Sequence, residues 1–303
     1  MAGPTRGAAR GARWRRTSRG WYVPADVDAS PVEQRILEQS VRLPAVGALT
    51  GWAALRWRGA HYFTGLGHGV ELPVPFALGC ADVGHDAAVR VSRERFWPHE
   101  IEVVDGIPCA VAVRALFDQM RWEAGLRAAV VAVDMTVAAG ILTVADLREY
   151  LSLRNGWTGV PRAREAAALA SADSRSPQES RMRLVWVLDA HLPVPRCNKP
   201  VFDLAGRLLG YPDLFDPVAG LVGEYDGQDH LLMDRRQGDV EREQRFRDHG
   251  LEYFCLVRGD LADRARVVQR MLGARRRARF LPEDRRPWTL TPPAWWQPPI
   301  VRG

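Results

Sequence analysis

The sequence is nearly without lysine and has no long apolar segment. Lys199 is the only lysine among 303 residues, so arginine carries almost all of the positive charge. No run of roughly 18 or more apolar residues occurs, which argues against a transmembrane helix. The arginine-rich start has no apolar stretch behind it, which argues against a secretory signal. With 47% apolar and 26% charged residues, the composition is that of a globular protein without a membrane partner.

Cysteine is also sparse. The four cysteines lie far apart in the chain, with no CxxC spacing and no neighbouring histidine pair; they are Cys80, Cys109, Cys197 and Cys255. Zinc sites and disulfide frameworks both need closer or more numerous cysteines. The pattern therefore favours reduced thiols and predicts a cytoplasmic location.

The positive charge is concentrated at the two ends of the chain. Residues 1–20 contain six arginines and no acid, and residues 261–303 contain ten arginines against three acids. Because the net charge of the whole chain is +6, the middle of the chain is acidic. Basic ends suit a polyanion such as DNA. A coding bias toward arginine accounts for the same excess without any DNA, and composition leaves both interpretations open.

Hydrophobic periodicity divides the chain into four parts. Residues 1–20 show no apolar period and are predicted to be a disordered basic arm. Residues 21–170 are predicted to form a mainly helical domain with a small sheet, and a polar segment near 170–176 marks its end. Strand patterns flanked by helical patterns over 174–280 predict a second domain with a mixed central sheet, and 281–303 form a tail rich in Pro and Trp. The fold class predicted for both domains is α+β.

An acidic hairpin is predicted within "GYPDLFDPVAGLVGEYDGQDH", residues 210–230. If the turn spans 217–220, the two strands are antiparallel and Asp213 lies opposite Glu224. Strand alternation then puts Glu224 and Asp226 on the same face. Opposed like charges are destabilising, and a divalent cation between them reverses the sign of the interaction. The hairpin therefore predicts a Mg²⁺ or Mn²⁺ site, whereas carboxylates at a strand end facing water are the alternative.

Several ordered motifs over about residues 174–275 resemble a known family. They include "SPQESRMR", "HLPVPRCN", "LLGYPDLFDP" and "LVGEYDGQDH". Together they are similar to the domain of very-short-patch-repair endonucleases, which belongs to the PD-(D/E)XK nuclease superfamily. The resemblance implies a mixed sheet with flanking helices and a Mg²⁺-dependent cleavage of DNA phosphodiesters.

The resemblance also implies roles for individual residues. Asp213 and Glu224 would be metal ligands, and the carbonyl of Tyr225 would complete the protein ligands. The superfamily usually has Lys where this chain has Asp226, and His230 is the neighbouring residue implied to assist catalysis.

Glu179 has two interpretations. In the relatives, an acid on the preceding helix points into the metal site, which would make Glu179 a catalytic residue. The segment "SPQE" is also a capping box, with Ser176 as N-cap and Glu179 at the third helical position. The sequence leaves both open.

The N-terminal half resembles, more weakly, the abortive-infection antitoxins of type IV toxin–antitoxin systems. The similar segments are "RRTSRGWYVP", "AVGALTGWAALRW" and "DGIPCAVAVRALFDQMRW", the last with Arg114 and Asp118 four residues apart on a predicted helix. This resemblance implies DNA and a cognate toxin as partners. It supports an alternative function, a non-catalytic DNA-binding antitoxin or transcriptional regulator that uses a degenerate nuclease fold.

A basic helix is predicted near the C-terminus, at "ADRARVVQRMLGARRRARF". Several arginines on one helix can release counterions together and bind DNA in a salt-dependent way. The residues predicted to do so are Arg264, Arg270, Arg275, Arg276 and Arg277. A solvated helix face is the alternative. Trp295 and Trp296 could stack on bases or cover an apolar groove.

Overall fold

The computed structural model divides the chain into two compact units, Met1–Ala168 and Leu169–Gly303. Both combine helices with sheets, so the α+β class is confirmed. The structure describes residues 5, 7–67, 69–84, 86–227 and 233–297, with the backbone alone over 233–239. Within these ranges no helix combines the length and the apolar character that crossing a bilayer requires. All four cysteines are free thiols.

The first unit is built around a five-stranded mixed sheet. Its helices are α1 Val32–Ser40, α2 Gly51–Trp57, α3 Ala112–Trp122, α4 Leu126–Ala138, α5 Val144–Ser152 and α6 Val160–Leu169. Its strands are β1 Trp14–Ser18, β2 Trp21–Pro24, β3 Ala48–Leu49, β4 Leu66–Gly67, β5 Val70–Glu71, β6 Val74–Ala77, β7 Val89–Ser92, β8 Ile101–Val104 and β9 Ile107–Ala110. The order in the sheet is β7-β6-β3-β9-β8.

Helices α3 and α4 form the core of this unit. Phe117 and Met120 of α3 and Val130 and Met135 of α4 are buried. Helix α4 is apolar on nearly all sides, which is typical of a helix enclosed by its neighbours. The prediction that Met120 and Met135 are core residues is confirmed.

The predicted disorder of residues 1–20 is wrong for Trp14–Ser18. These residues form β1 and pair antiparallel with β2 around a turn in which Gly20 has φ +85°. Arg15 of β1 forms an ion pair of 2.5 Å with Glu38 of α1, whose side chain is buried. The segment has no apolar period of its own because a neighbouring strand and a distant carboxylate supply its partners.

The second unit contains two three-stranded sheets. Its elements are α7 Pro177–Leu184, a π-helical turn Val185–Asp189, β10 Val201–Asp203, β11 Leu208–Gly210, β12 Leu214–Asp216, β13 Leu221–Asp226, α8 Met233–Asp248, β14 Glu252–Val257, α9 Arg264–Arg277 and β15 Trp288–Thr289. The sheet β12-β13-β14 is mixed, because β13 pairs antiparallel with β12 and parallel with β14. The other sheet has the order β11-β10-β15.

Both faces of the mixed sheet are covered. One apolar cluster joins Leu221 and Phe254 of the sheet to Met182 of α7 and Met271 of α9. The second joins alternate strand residues, such as Val222, to Phe246 of α8. This alternation is the two-residue period of a strand buried on both sides.

The C-terminal segment is part of the second unit. Trp288 of β15 is buried, and its ring lies edge-on to Phe215 at 5.1 Å. Trp296 packs edge-on to Phe202 at 5.5 Å, whereas Trp295 is exposed. The predicted surface tail is therefore corrected at Trp288–Thr289, which complete a sheet, because only the pairing with β10 reveals this strand.

Candidate metal-binding site

The hairpin β12–β13 has the register that the turn residues predicted. Leu214 pairs with Gly223, Phe215 with Val222, and Asp216 with Leu221. Asp216 Oδ1 accepts the N–H groups of Val218 and Ala219, and Gly220 adopts φ +72° at the end of the turn. One step beyond the paired residues, this register places Asp213 opposite Glu224.

Asp213 holds a carboxylate that is costly to ionise. Its Oδ2 accepts the Tyr225 N–H at 2.8 Å, and its Oδ1 makes no hydrogen bond to any described residue. Burial and the negative charge of Glu179 raise the pKa of Asp213 to about 7, although the Tyr225 amide, Arg242 and Arg175 oppose this shift. At neutral pH this group favours either a proton or a nearby cation.

Glu224 lies in the middle of the same acidic face. It is buried at 6% exposure, and Arg242 of α8 approaches its Oε2 at 3.7 Å. Across the parallel pair, Glu224 is in register with Cys255 of β14. A cavity of about 310 Å³ opens here between the sheet and α8, and Glu224, Asp226, Arg242 and Cys255 are among its lining residues.

The thiol of Cys255 reports how close the carboxylates are. Burial raises its pKa to about 11, and the charges of Asp226, Glu224 and Asp213 raise it further, against a hydrogen bond from the Asp226 backbone. All three carboxylates therefore act on one side chain. The structure brings Asp213, Glu224 and Asp226 to a common region, as the strand pattern predicts.

Glu179 combines the two roles considered for it. Ser176 Oγ accepts the Glu179 N–H at 3.2 Å, so Ser176 is the N-cap of α7. The Glu179 carboxylate accepts the Arg175 N–H at 2.8 Å, one residue before the cap. The same carboxylate repels Asp213. It is thus a helix-capping group that also borders the acidic face.

Asn198 is a positioning residue that sequence reasoning missed. Its N–H donates to the carbonyl of Pro212 at 2.8 Å, directly before Asp213. Its Nδ2 donates to Glu179 Oε2 at 2.7 Å and to the carbonyl of Asp173 at 2.8 Å. Asn198 therefore ties α7 to the strand that carries Asp213. Its φ of +50°, which asparagine tolerates better than most residues, was not readable from spacing.

The donor chemistry of this site fits a hard divalent cation. Asp213, Glu224 and the Tyr225 carbonyl offer oxygen atoms alone, and Mg²⁺ is usually held by one or two carboxylates together with water. Among the described residues no cluster of three or more His, Cys, Asp or Glu side chains forms a complete metal-binding group. His230, predicted to assist, lies outside the described residues.

The arginines predicted to bind DNA on α9 are mostly engaged within the unit. Arg270 pairs with Asp260 at 2.7 Å, Arg275 with Asp216 at 3.1 Å, and Arg277 with Glu252 at 2.7 Å. Arg264 and Arg276 are exposed and line a shallow groove along α9. DNA would have to compete with the carboxylate partners of the other three.

Another set of arginines surrounds the acidic face. Arg175 stacks over Tyr211 at 5.9 Å, Arg181 is exposed on α7, and Arg258 directly follows β14. The charges of Arg181 and Arg258 act on the Tyr225 hydroxyl, so both lie near the end of β13. These arginines come from separate elements, and no periodicity in the sequence unites them.

Neither protein-family models, nor curated proteins, nor solved structures match this chain. Its function must therefore come from the chemistry of these residues.

Protonation of Asp213 leads to a prediction about stability. Its folded pKa of about 7 exceeds the ordinary value of 3.8, so the folded state holds this proton more tightly than the unfolded state. The metal-free protein should lose stability as the pH rises from about 4 to about 7. Mg²⁺ should raise the melting temperature more at pH 8 than at pH 5, as scanning calorimetry can measure. An equal Mg²⁺ effect at both pH values would contradict this expectation.

Proposed function

We propose that the second unit is a metal-dependent DNA endonuclease of the PD-(D/E)XK type, which hydrolyses a phosphodiester bond. The observation that supports this best is the hairpin register, which sets Asp213 against Glu224 at the end of β13. A mixed sheet preceded by α7 and covered by α8 and α9 agrees with the fold that the sequence resemblance implies.

Asp213, Glu224 and the Tyr225 carbonyl would hold Mg²⁺. When bound, the ion would polarise the phosphate and lower the pKa of a water nucleophile. Asn198 and the Arg175 amide hold Glu179 in place beside Asp213. Asp226, on the same face as Glu224, can accept a proton from the attacking water through its carboxylate.

Arg242 is the cation on this face of the sheet. Its guanidinium lies 3.7 Å from Glu224 Oε2, whereas the superfamily usually places Lys at the position of Asp226. A guanidinium here can offset negative charge that develops on a phosphate oxygen. In this proposal Arg242 supplies from α8 the positive charge that the strand lacks.

The proposed activity is tested by nicking of supercoiled plasmid DNA. Purified full-length protein should nick the plasmid with Mg²⁺ or Mn²⁺ and should be inactive in EDTA. Activity that survives EDTA would contradict a metal-dependent mechanism.

The exposed arginines at the mouth of the site should bind the DNA backbone. Arg175→Ala and Arg181→Ala should each weaken DNA binding, and each should lower the slope of log affinity against log salt by about 1. Binding is measured by anisotropy in EDTA, so cleavage does not interfere. Arg277→Ala is the matched control, because Arg277 is also exposed but already pairs with Glu252. A larger loss in the control would move the DNA surface to α9.

One observation favours a second candidate function, a non-catalytic DNA-binding regulator. Asp226 stands where the superfamily has Lys, and Arg242 compensates part of the acidic charge without any metal. Such a protein would bind a promoter fragment equally well with EDTA and with Mg²⁺, and would not nick it. A cognate toxin would then be the protein partner.

A further inference from the structure

A cavity of about 360 Å³ in the first unit has walls formed largely by aromatic side chains. It lies where the start of α2, the loop before β4 and the end of α3 meet β7. Trp52, Tyr62 and Trp122 provide flat apolar surfaces, and Arg90, Gln119 and Glu123 provide the polar groups. A few polar groups among apolar walls is the usual composition of a small-molecule site, and the volume lies in the usual range.

Two glycines hold the aromatic walls close to the backbone. Gly51 has φ +51°, and a Cβ there would lie 2.7 Å from Cζ3 of Trp122. Gly65 has φ +67°, and a Cβ there would lie 2.7 Å from Cη2 of Trp52. The Trp52 indole also donates to the carbonyl of Pro73 at 3.1 Å. The walls are therefore set by packing in the unliganded protein.

Arg90 is the unusual charge in this cavity. Nearby arginines have carboxylate partners at 2.5–3.1 Å, namely Arg35 with Glu71, Arg56 with Glu33 and Arg121 with Glu94. Arg90 stacks over Trp122 at 4.5 Å and makes no hydrogen bond or ion pair with the described residues. Partial burial and the positive charge of Arg121 lower its pKa. A cation beside another cation, with no acid in contact, favours an anionic ligand.

Glu123 provides a hydrogen-bond acceptor with a defined position. The nearly buried Gln119 donates from Nε2 to Glu123 Oε1 at 2.7 Å, and its Oε1 accepts the Trp52 N–H at 2.9 Å. Gln119 thus ties the acid to an aromatic wall. An ionised carboxylate accepts N–H donors and repels anions, so Glu123 and Arg90 select different parts of one ligand.

We propose that this cavity binds a nucleotide, with the base against the aromatic walls, its N–H groups donated to Glu123, and its phosphate on Arg90. The flat walls suit stacking of a base. A guanidinium matches the geometry of phosphate oxygens. This site lies wholly within the first unit and does not depend on the proposed nuclease activity.

Isothermal titration of the full chain with AMP, GMP, CMP and UMP tests the proposal. At least one of the four should bind, and its nucleoside and inorganic phosphate should each bind at least tenfold more weakly. Arg90→Ala should weaken nucleotide binding tenfold or more and leave nucleoside binding unchanged. Arg93→Ala is the matched control, because Arg93 follows β7 closely but pairs with Asp82 outside the cavity.

Three results would overturn the nucleotide site. They are no binding of any of the four at millimolar concentration, equal affinities in Arg90→Ala and Arg93→Ala, and equal or tighter binding of benzoate, a planar anion without N–H donors. Glu123→Gln should change the preference among the four bases, and an unchanged preference would remove Glu123 from the site. Asp213→Asn should bind nucleotide normally, so failure of the nuclease proposal and failure of this one are distinguishable.

Discussion

Asp213→Asn is expected to abolish Mg²⁺-dependent nicking without unfolding the protein. We expect a loss of roughly 10²–10³-fold, the range for removing one group that stabilises charge in a transition state. The amide is nearly isosteric, and its oxygen can still accept the Tyr225 N–H. Because it carries no charge, it also removes the repulsion from Glu179. The melting temperature at pH 8 should therefore stay equal or rise while cleavage is lost.

The control for this experiment is Asp248→Asn. Asp248 is an exposed acid at the end of α8 that accepts a hydrogen bond from Gln244, and its replacement should leave nicking unchanged. Nicking that persists in Asp213→Asn would assign the activity to a contaminant. Absence of nicking in the wild type with either metal, while DNA binding remains, would favour the regulator instead.

Asp118→Ala is expected to destabilise the first unit by about 3–5 kcal/mol, the cost of breaking a buried ion pair. Asp118 and Arg114 are both fully buried on α3. Asp118 accepts from Arg114 at 3.1 Å, from Arg121 at 2.6 Å and from the Thr50 hydroxyl at 2.7 Å. Removing its carboxylate leaves two guanidinium groups without this partner in a site from which water is excluded.

This network extends beyond one helix. Arg114 also contacts Glu100 at 3.3 Å, and Glu100 accepts from Tyr150 of α5 at 2.9 Å and from Arg154 at 3.2 Å. Burial alone would lower the pKa of Arg114, but the surrounding negative charges, Asp118 first, raise it. The network therefore links α3 to α5 and to the segment before β8.

Urea denaturation followed by far-UV circular dichroism measures this prediction. Asp82→Ala is the control, because the Arg93–Asp82 pair is exposed on both sides and its loss should leave stability nearly unchanged. If Asp118→Ala shifted the unfolding midpoint no more than Asp82→Ala does, the network would not be a main source of stability in this unit.

Local chemistry made the hairpin β12–β13 predictable. Asp216, Pro217 and Gly220 favour one turn, and the two-residue period of the strands then determines which side chains share a face. The capping by Ser176 was readable for the same reason, because cap and helix are three residues apart. The N-terminal arm and the tail were mispredicted where they form β1 and β15, since a strand without strong alternation becomes visible only beside its partner.

The arginines show the same division. On α9 their number and helical spacing suggested a DNA surface, but the acids that neutralise Arg275 and Arg277 lie on β12 and β14. Arg175, Arg181 and Arg258 look unrelated in the chain and come together around one acidic face. Charge in a sequence can be counted, whereas the distance to the opposite charge depends on the fold.

The amino-acid sequence by itself determined the α+β class, most helices, the turn of the acidic hairpin and the pairing of Asp213 with Glu224. Only the tertiary structure decided which charges are neutralised, which aromatic rings enclose the cavity beside Arg90, and how Asn198 holds Glu179 next to Asp213. The physical reason is range. Turns, caps and strand alternation depend on neighbours within a few residues, whereas burial and ion pairing depend on elements that are distant in the chain.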